Sequence, residues 1–327
     1  MRFVSAAEVH RLLNWPSLID ALREAHLAQA PRTARLLLEE PREAGHPNIL
    51  LTLPAWQPGE AIGVKLVTSF PDNVAEHGLP TVSAIYAFFD GRTGLPRAVI
   101  DGEALIFRKT AADSALGTSL LARADIETML MIGAGALAPY LIKAHRTARP
   151  SIQRVTIWNR TAHRAAALAA SLREEGVEAI ATEHLDAAVS KADLVSCATM
   201  SEMPLLKGQC LKRGAHVDLV GSFTPAMREA DDEALRRARV FVDSYGILDR
   251  SGEFVGPLQR GVIARDHVVA DLFELCRRDR RGRSSRSEIT LFKNGGGAHL
   301  DLFVARHLLA VAETPQIVNS CITPCVA

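Results

Sequence analysis

The run Met129-Leu-Met-Ile-Gly-Ala-Gly-Ala-Leu-Ala-Pro139 constrains this chain more than any other stretch. An apolar strand candidate at 128–132 opens directly into Gly133-Ala-Gly135-Ala-Leu-Ala138, and a helical pattern follows. In a GxGxxA turn the first glycine permits the tight bend and the second lets backbone approach a pyrophosphate. The small third residue lets helix and strand pack closely. Amides at the helix N-terminus then face the phosphates. A plain strand, turn and helix has the same outline, so the context decides. Strand candidates at 154–158, 194–197, 216–220 and 240–242 alternate with helical stretches at Ala162 to Glu175 and Met227 to Arg237. Such alternation predicts an α/β, Rossmann-type doubly wound parallel sheet that binds a dinucleotide.

The second strand of such a unit usually ends in an acid, which accepts from the ribose 2′-hydroxyl of NAD and repels a 2′-phosphate. Here the strand ends Trp158-Asn159-Arg160-Thr161. Asn159 removes the repulsion, the planar fork of Arg160 matches phosphate oxygens, and the Thr161 hydroxyl adds a donor. The expected cofactor is NADPH, with NADH weaker. The alternative is that Arg160 covers the edge of the adenine, which permits NADPH with a smaller preference.

Before residue 118 the pattern differs. Residues 5 to 30 have helical periodicity, with Pro16 in a first turn and Leu18, Ile19, Leu22 and Leu27 on one face. The segments ARLLLEE, NILLTLP, AIGVKLVTSF, TVSAIYAFFD and PRAVI, between Ala34 and Ile100, are short, β-rich and punctuated by Pro, Gly and Asn, and Asp90 to Gly94 reads as a hairpin turn. Lys109 to Ala122 is helical. At 327 residues the chain exceeds one typical core, so two domains are expected.

Several function classes are excluded by bulk properties. A net charge of +1 supplies no global field for nucleic acid or an anionic membrane. The longest uncharged run, Thr128 to Ile142, is broken by Gly133, Gly135 and Pro139 and is shorter than the roughly 20 apolar residues of a membrane span. Ser5 to Glu8 forms a capping-box pattern that opens a helix where a signal peptide would show a basic start and an apolar block, so a cytoplasmic location is expected. Five cysteines (Cys197, Cys210, Cys276, Cys321, Cys325) have no metal-ligand spacing and read as reduced packing residues, with redox work at Cys321 and Cys325 a minor alternative; no metal is expected. Six arginines among the ten residues from Arg277 to Arg286 read as a solvated loop.

Taken together, the motifs GVKLVTSFPDN (63–73), FFDGRTGLPRAVIDG (88–102), KTAADSAL (109–116), the GxGxxA loop, IWNRT, LVGSFTPAMREADDE (219–233) and ITLFKNGGGAHLD (289–301) resemble the ornithine cyclodeaminase/mu-crystallin family, in family order over nearly the whole chain. The resemblance implies a homodimer, with a substrate and dimerisation domain formed by residues 1–117 and completed by the last helix in 300–327. A Rossmann domain at 118–299 lies between. It also implies hydride chemistry at the Cα of small amino or imino acids. It places Lys65 and Lys109 at substrate-carboxylate positions and Arg32 at a third basic position, for which Arg35 competes. On the cofactor side it adds Ala136 and Leu137 in the phosphate loop, Thr199, Val220 beside the nicotinamide, and Asn294 before the glycine turn. Unaided, Lys65 reads as an exposed lysine, because it is opposite in parity to Ile62, Val64 and Leu66, and Lys109 reads as a surface pair with Arg108. His299 and Asp301 read as an exposed residue and a helix cap, with a catalytic pair on the closing helix the alternative.

Three departures from the family narrow the activity. Phe223 stands where its cyclodeaminases carry an acid two residues before the proline of the segment matching GSFTP, Leu51 stands where they carry a second acid, and Lys109 replaces an arginine. Without those acids nothing handles a substrate ammonium, which disfavours cyclodeamination. What the resemblance leaves is reduction of a cyclic imino acid, Δ1-pyrroline-2-carboxylate or Δ1-piperideine-2-carboxylate, since a protonated C=N is already electrophilic. An amino-acid dehydrogenase or cyclodeaminase and a non-catalytic NADPH-dependent binding protein remain the alternatives.

Overall fold

The computed structural model describes residues 1–42, 45 and 47–313. In the N-terminal part the elements are β1 (Arg2–Val4), α1 (Ala6–Leu12), α2 (Trp15–Ala25), β2 (Arg32–Thr33), β3 (Leu36–Glu40), β4 (Asn48–Gln57), β5 (Ala61–Ser69), α3 (Asn73–His77), β6 (Val82–Asp90), β7 (Pro96–Asp101) and α4 (Gly102–Leu121). The expected capping box is present: Ser5 accepts from the Glu8 amide, and Glu8 accepts from the Ser5 amide. The single helix expected across residues 5–30 is two. Asn14 ends the first by capping the second through the Ser17 amide, with Pro16 in its first turn. Leu18, Ile19 and Leu22 are buried, whereas Leu27 lies beyond the helix and is exposed.

All five β-rich segments become strands. They form a mixed seven-stranded sheet in the order β1-β7-β6-β5-β4-β2, with β3 also on β4. Only β1 and β7 pair in parallel. Directly opposed residues share a face, so the pairings sort the sheet. Leu53, Lys65 and Tyr86 lie in one row on the face covered by the C-terminal helix. The other face carries Leu36, Thr52, Leu66 and Ile85 in one row and Trp56, Ile62 and Phe89 in another. Among the described residues nothing covers it: Leu36 is 55% exposed, Leu38 53% and Trp56 47%.

The second part contains β8 (Thr128–Ile132), α5 (Ala138–Ala148), β9 (Arg154–Trp158), α6 (Ala162–Glu174), β10 (Glu178–Ala181), α7 (Leu185–Lys191), β11 (Leu194–Cys197), β12 (His216–Leu219), α8 (Asp232–Arg237), β13 (Ala238–Val242), α9 (Gly252–Gln259), β14 (Val268–Asp271), α10 (Leu272–Arg277), β15 (Ile289–Lys293) and α11 (Ala298–Glu313). Its sheet is wholly parallel, in the order β10-β9-β8-β11-β12-β15-β13-β14. Alternate residues feed two cores, Met129 and Met131 on one side and Leu130 and Ile132 on the other, as a sheet buried on both faces requires. The chain order reverses between β8 and β11, which is where such sheets leave a crevice at their carboxyl ends.

The helix expected at Met227 to Arg237 is only Asp232–Arg237. Residues 228–231 run extended instead: the Glu229 carbonyl accepts from Leu205 and Leu206, and Asp231 caps α8. Helix α4 starts at Gly102, well before Lys109, and continues past residue 117, so the expected domain boundary at 117/118 falls inside it. It packs against α2 and β6 on one side and α5, β12 and β15 on the other. Helix α11 returns to the N-terminal part against α2, β4 and β5. The arginine-rich stretch is exposed at Arg277, Arg278, Arg280, Arg281 and Arg286, as a solvated segment should be, whereas Arg283 is tied in, donating to the carbonyls of Leu121, Ala215 and Glu288 and to the Thr290 hydroxyl. Cys197 and Cys276 are buried free thiols; Cys321 and Cys325 lie outside the described residues.

Candidate active site

A cavity of about 650 Å³ opens at the β8/β11 switch point. All ten residues named above for the cofactor line it: Gly133, Gly135, Ala136 and Leu137, then Asn159, Arg160 and Thr161, then Thr199, Val220 and Asn294. Lys109 lines it as well.

The phosphate loop is built for backbone approach. Gly133 has φ +108°, and a β-carbon there would meet the Ala198 carbonyl oxygen at 2.5 Å. Only glycine satisfies both conditions. Around Gly135 there is open space. Asn159 has a part beyond the absence of charge. Its Oδ1 accepts from the Ala134 amide at 3.1 Å while its Nδ2 donates to the Thr161 carbonyl at 3.0 Å. An aspartate has no donor for the second bond. Arg160 is exposed at the mouth, and Arg164, one helical turn on, lines the same wall. These features fit a dinucleotide: an open glycine turn at a helix start, and guanidinium groups without a carboxylate at the end of the second strand.

At its other end the cavity reaches a buried charge cluster. Lys65 is 5% exposed and donates to Asp301 Oδ2 at 2.7 Å; Lys109, 2% exposed, lies 3.9 Å from Asp301 Oδ1. Asp301 Oδ1 accepts no hydrogen bond among the described residues. Burial pulls the Lys65 ammonium below its ordinary range, opposed by Asp301 and reinforced by Lys109. His299 stands beside them, and burial followed by the Lys109 charge lowers it to about 4, so its ring is neutral at pH 7. The exposed-lysine reading of Lys65 is therefore corrected. The covered face of β5 is the one carrying Ala61, Gly63 and Lys65, while the apolar residues Ile62, Val64 and Leu66 face the open side. Lys109 is likewise no surface pair. Arg108 points elsewhere, over the Trp15 ring at 4.4 Å, donating to the His10 carbonyl. Asp301 and His299, read from the sequence as a cap and an exposed residue, are both buried. Asp113, one helical turn from Lys109 in sequence, accepts no hydrogen bond among the described residues, and the carboxylate that pairs with both lysines comes from α11 instead.

Arg32 is not brought to this cluster. It pairs with Trp56 and so stands on the open face of the sheet, exposed. The pairing runs on through Ala34, whose amide donates to the Pro54 carbonyl, to Leu36 opposite Thr52. That register sets Arg35 opposite Leu53, in the row of Lys65. Leu51 lies on the same face. Phe223 lines the cavity and is 56% exposed, following Ser222 at φ +50°. Asn294 joins β15 to α4, donating to the Thr110 carbonyl and the Ser114 hydroxyl. Among the described residues, no cluster of His, Cys, Asp and Glu is arranged to hold a metal ion, and no helix is long and apolar enough to cross a membrane.

The fold and the cavity define a two-part α/β protein with a Rossmann-type sheet and a charged pocket beside its switch point. Residues 2–313 match the model of the ornithine cyclodeaminase/mu-crystallin family, and the chain belongs to that family. It is 40% identical to the Δ1-pyrroline-2-carboxylate reductase of Paracoccus denitrificans, over 95% of this chain and 96% of that one. Among solved structures, it resembles Thermococcus litoralis Δ1-pyrroline-2-carboxylate reductase in complex with NADH and L-proline, with a TM-score of 0.88 and 29% identity over 95% of this chain and 97% of the other. An archaeal alanine dehydrogenase dimer with bound NAD matches with a TM-score of 0.86 and 27% identity, over 95% and 96% of the two chains.

Proposed function

We propose that this chain is a nicotinamide-dependent ketimine reductase that converts Δ1-pyrroline-2-carboxylate to L-proline, and accepts the six-membered Δ1-piperideine-2-carboxylate to give L-pipecolate. The observation that carries the reading is Lys109. It lines the dinucleotide cavity and also belongs to the buried Lys65–Asp301 cluster, so a small acid held by these lysines lies beside the cofactor. The similarity to reductases of this substrate supports the choice of imine.

A bound nicotinamide dinucleotide would supply the hydride to C2 of the protonated imine, whose ring N–H remains as the amine of the product. The residues of the chain do the rest. Lys109, Lys65 and Arg35 hold the ring carboxylate, which orients C2. Asp301 keeps Lys65 in place, and the two lysines outnumber it by one positive charge, which suits the ring carboxylate. Phe223 and Leu51 stand where cyclodeaminases of the family carry acids, so neither position supplies a base for an ammonium substrate. The Gly133 loop, Ala136 and Leu137 receive the pyrophosphate, Thr199, Val220 and Asn294 border the nicotinamide end, and Asn159, Arg160, Thr161 and Arg164 receive the adenosine ribose. The two arginines support NADPH over NADH.

The uncovered apolar face of the first sheet supports a homodimer formed there. A cytoplasmic location, where free thiols such as Cys197 and Cys276 stay reduced, belongs to the same proposal. The test follows NADPH and NADH oxidation with the five- and six-membered imines, and ammonia release from ornithine, lysine and alanine. Imine reduction without ammonia release is the expected result; ammonia release without imine reduction overturns it.

A further inference from the structure

The floor of the cavity, where β8, β11 and β12 end, has no slack. A β-carbon at Gly133 would lie 3.3 Å from Thr199 Cγ2, and one at Gly221 would lie 2.0 Å from the Thr199 carbonyl oxygen. Thr199 is thus wedged between the phosphate loop and the loop that carries Val220 and Phe223. A single buried carboxylate fixes it. Glu229 Oε1 accepts from the Thr199 amide at 2.6 Å and from the Thr199 hydroxyl at 2.9 Å. Glu229 is itself locked: its amide donates to Glu253, and its carbonyl accepts from Leu205 and Leu206. Behind it, the Lys293 ammonium donates to the carbonyls of Leu219, Gly221 and Asn294, tying β12 to β15. Glu229 does not line the cavity, and its Oε2 has no partner among the described residues. Burial, opposed by Lys293 and reinforced by Glu253, raises its carboxyl to about 7. A neutral amide is therefore a fair stand-in for it.

We propose that Glu229 is a positioning residue for the bound dinucleotide: through Thr199 it sets the spacing between the Gly133 loop and the Val220–Phe223 loop without touching the cofactor. The inference rests on reading the cavity as the dinucleotide site. Glu229→Asp keeps the carboxylate but withdraws it by one methylene from Thr199. Glu229→Gln keeps an acceptor at Oε1. The experiment titrates NADPH and NADH fluorescence against wild type, both variants and Thr199→Val, with steady-state kinetics and melting curves alongside.

Glu229→Asp should weaken cofactor binding and raise the cofactor KM about tenfold, with kcat at saturating cofactor and the imine KM changed less than about twofold. Glu229→Gln should restore affinity to within about threefold of wild type. In a double variant, Glu229→Asp and Thr199→Val should be less than additive. Glu229→Asp with wild-type affinity, or full additivity with Thr199→Val, overturns the proposal. A wild-type protein that binds neither cofactor overturns the reading of the cavity instead, so the two failures are distinct.

Discussion

Replacing Lys65 by Met tests the buried cluster most directly, because the two cations on Asp301 contribute unequally. At an effective dielectric of about 20, unit charges attract by about 6 kcal/mol at the 2.7 Å of Lys65–Asp301 and by about 4 kcal/mol at the 3.9 Å of Lys109–Asp301. Lys109 therefore retains roughly two-fifths of the summed attraction when Lys65 is lost. Against this stands the cost of burying Lys65, visible in the lowering of its ammonium by burial. Breaking a buried pair costs about 3–5 kcal/mol, and the remaining lysine puts Lys65→Met at about 3 kcal/mol, the low end of that range. With an unfolding entropy near 2 cal/mol/K per residue, that is a fall in Tm of roughly 4 °C for a chain of this size. Lys65→Met/Asp301→Leu should recover about half of the loss, because it removes the under-compensated carboxylate while leaving Lys109, at the cavity wall, without its Asp301 partner. Activity should not return: in both variants kcat/KM for the imine should stay down by about 100-fold, with KM raised and kcat lowered together. Urea unfolding and calorimetry measure the first quantity, NADPH oxidation the second. A double variant that melts as low as Lys65→Met refutes the coupling, and near-normal kinetics in Lys65→Met removes Lys65 from the site.

Two further outcomes follow from the described contacts. Arg160→Ala should reduce the ratio of kcat/KM for NADPH over NADH by about tenfold, with Arg164 holding the remainder; an unchanged ratio removes Arg160 from cofactor choice. Asp193 accepts from the amides of Glu127 and Thr128 and the Thr128 hydroxyl and pairs with Lys212 and Arg123. Burial opposes its ionisation, but Lys212 and these donors outweigh burial and hold it at about 2. A carboxyl lowered on folding contributes stability that is complete above its unfolded pKa of about 3.9 and lost as pH falls through about 2. Asp193→Asn should therefore cost about 1–2 kcal/mol at pH 7, after discount for its partial contact with solvent, and the difference should shrink toward pH 2 in urea titrations.

The second half of the chain was legible because its strands alternate with helices at regular intervals, β8 is apolar on both faces, and the glycine turn fixes which strand comes first. The first half was legible as strands but not as faces. Parity at Ile62, Val64 and Leu66 assumed that apolar residues point inward. Here the apolar face of the sheet is left open among the described residues, and the covered one carries Gly63 and Lys65. Arg32 and Arg35 could not be separated for the same reason, since a one-residue difference in a short edge strand exchanges the faces. The break at Asn14 was signalled by Asn-Trp-Pro, a cap followed by a proline, and was obscured by continuous apolar periodicity on either side. Asp301 was illegible because its partner lies 236 residues away.

Helix α4 carries Lys109 on the cavity wall and, nine residues later, Thr118 bonded to His145, which reaches Asp218 in the core of the parallel sheet. At 1.5 Å per residue the interval is a spacer of roughly 13.5 Å. One residue inserted or deleted within it would turn Lys109 by about 100° against that anchorage. Divergence along this stretch is thereby confined to replacement at constant length: such a lineage can exchange the amine that meets the acid, but not the distance at which it stands.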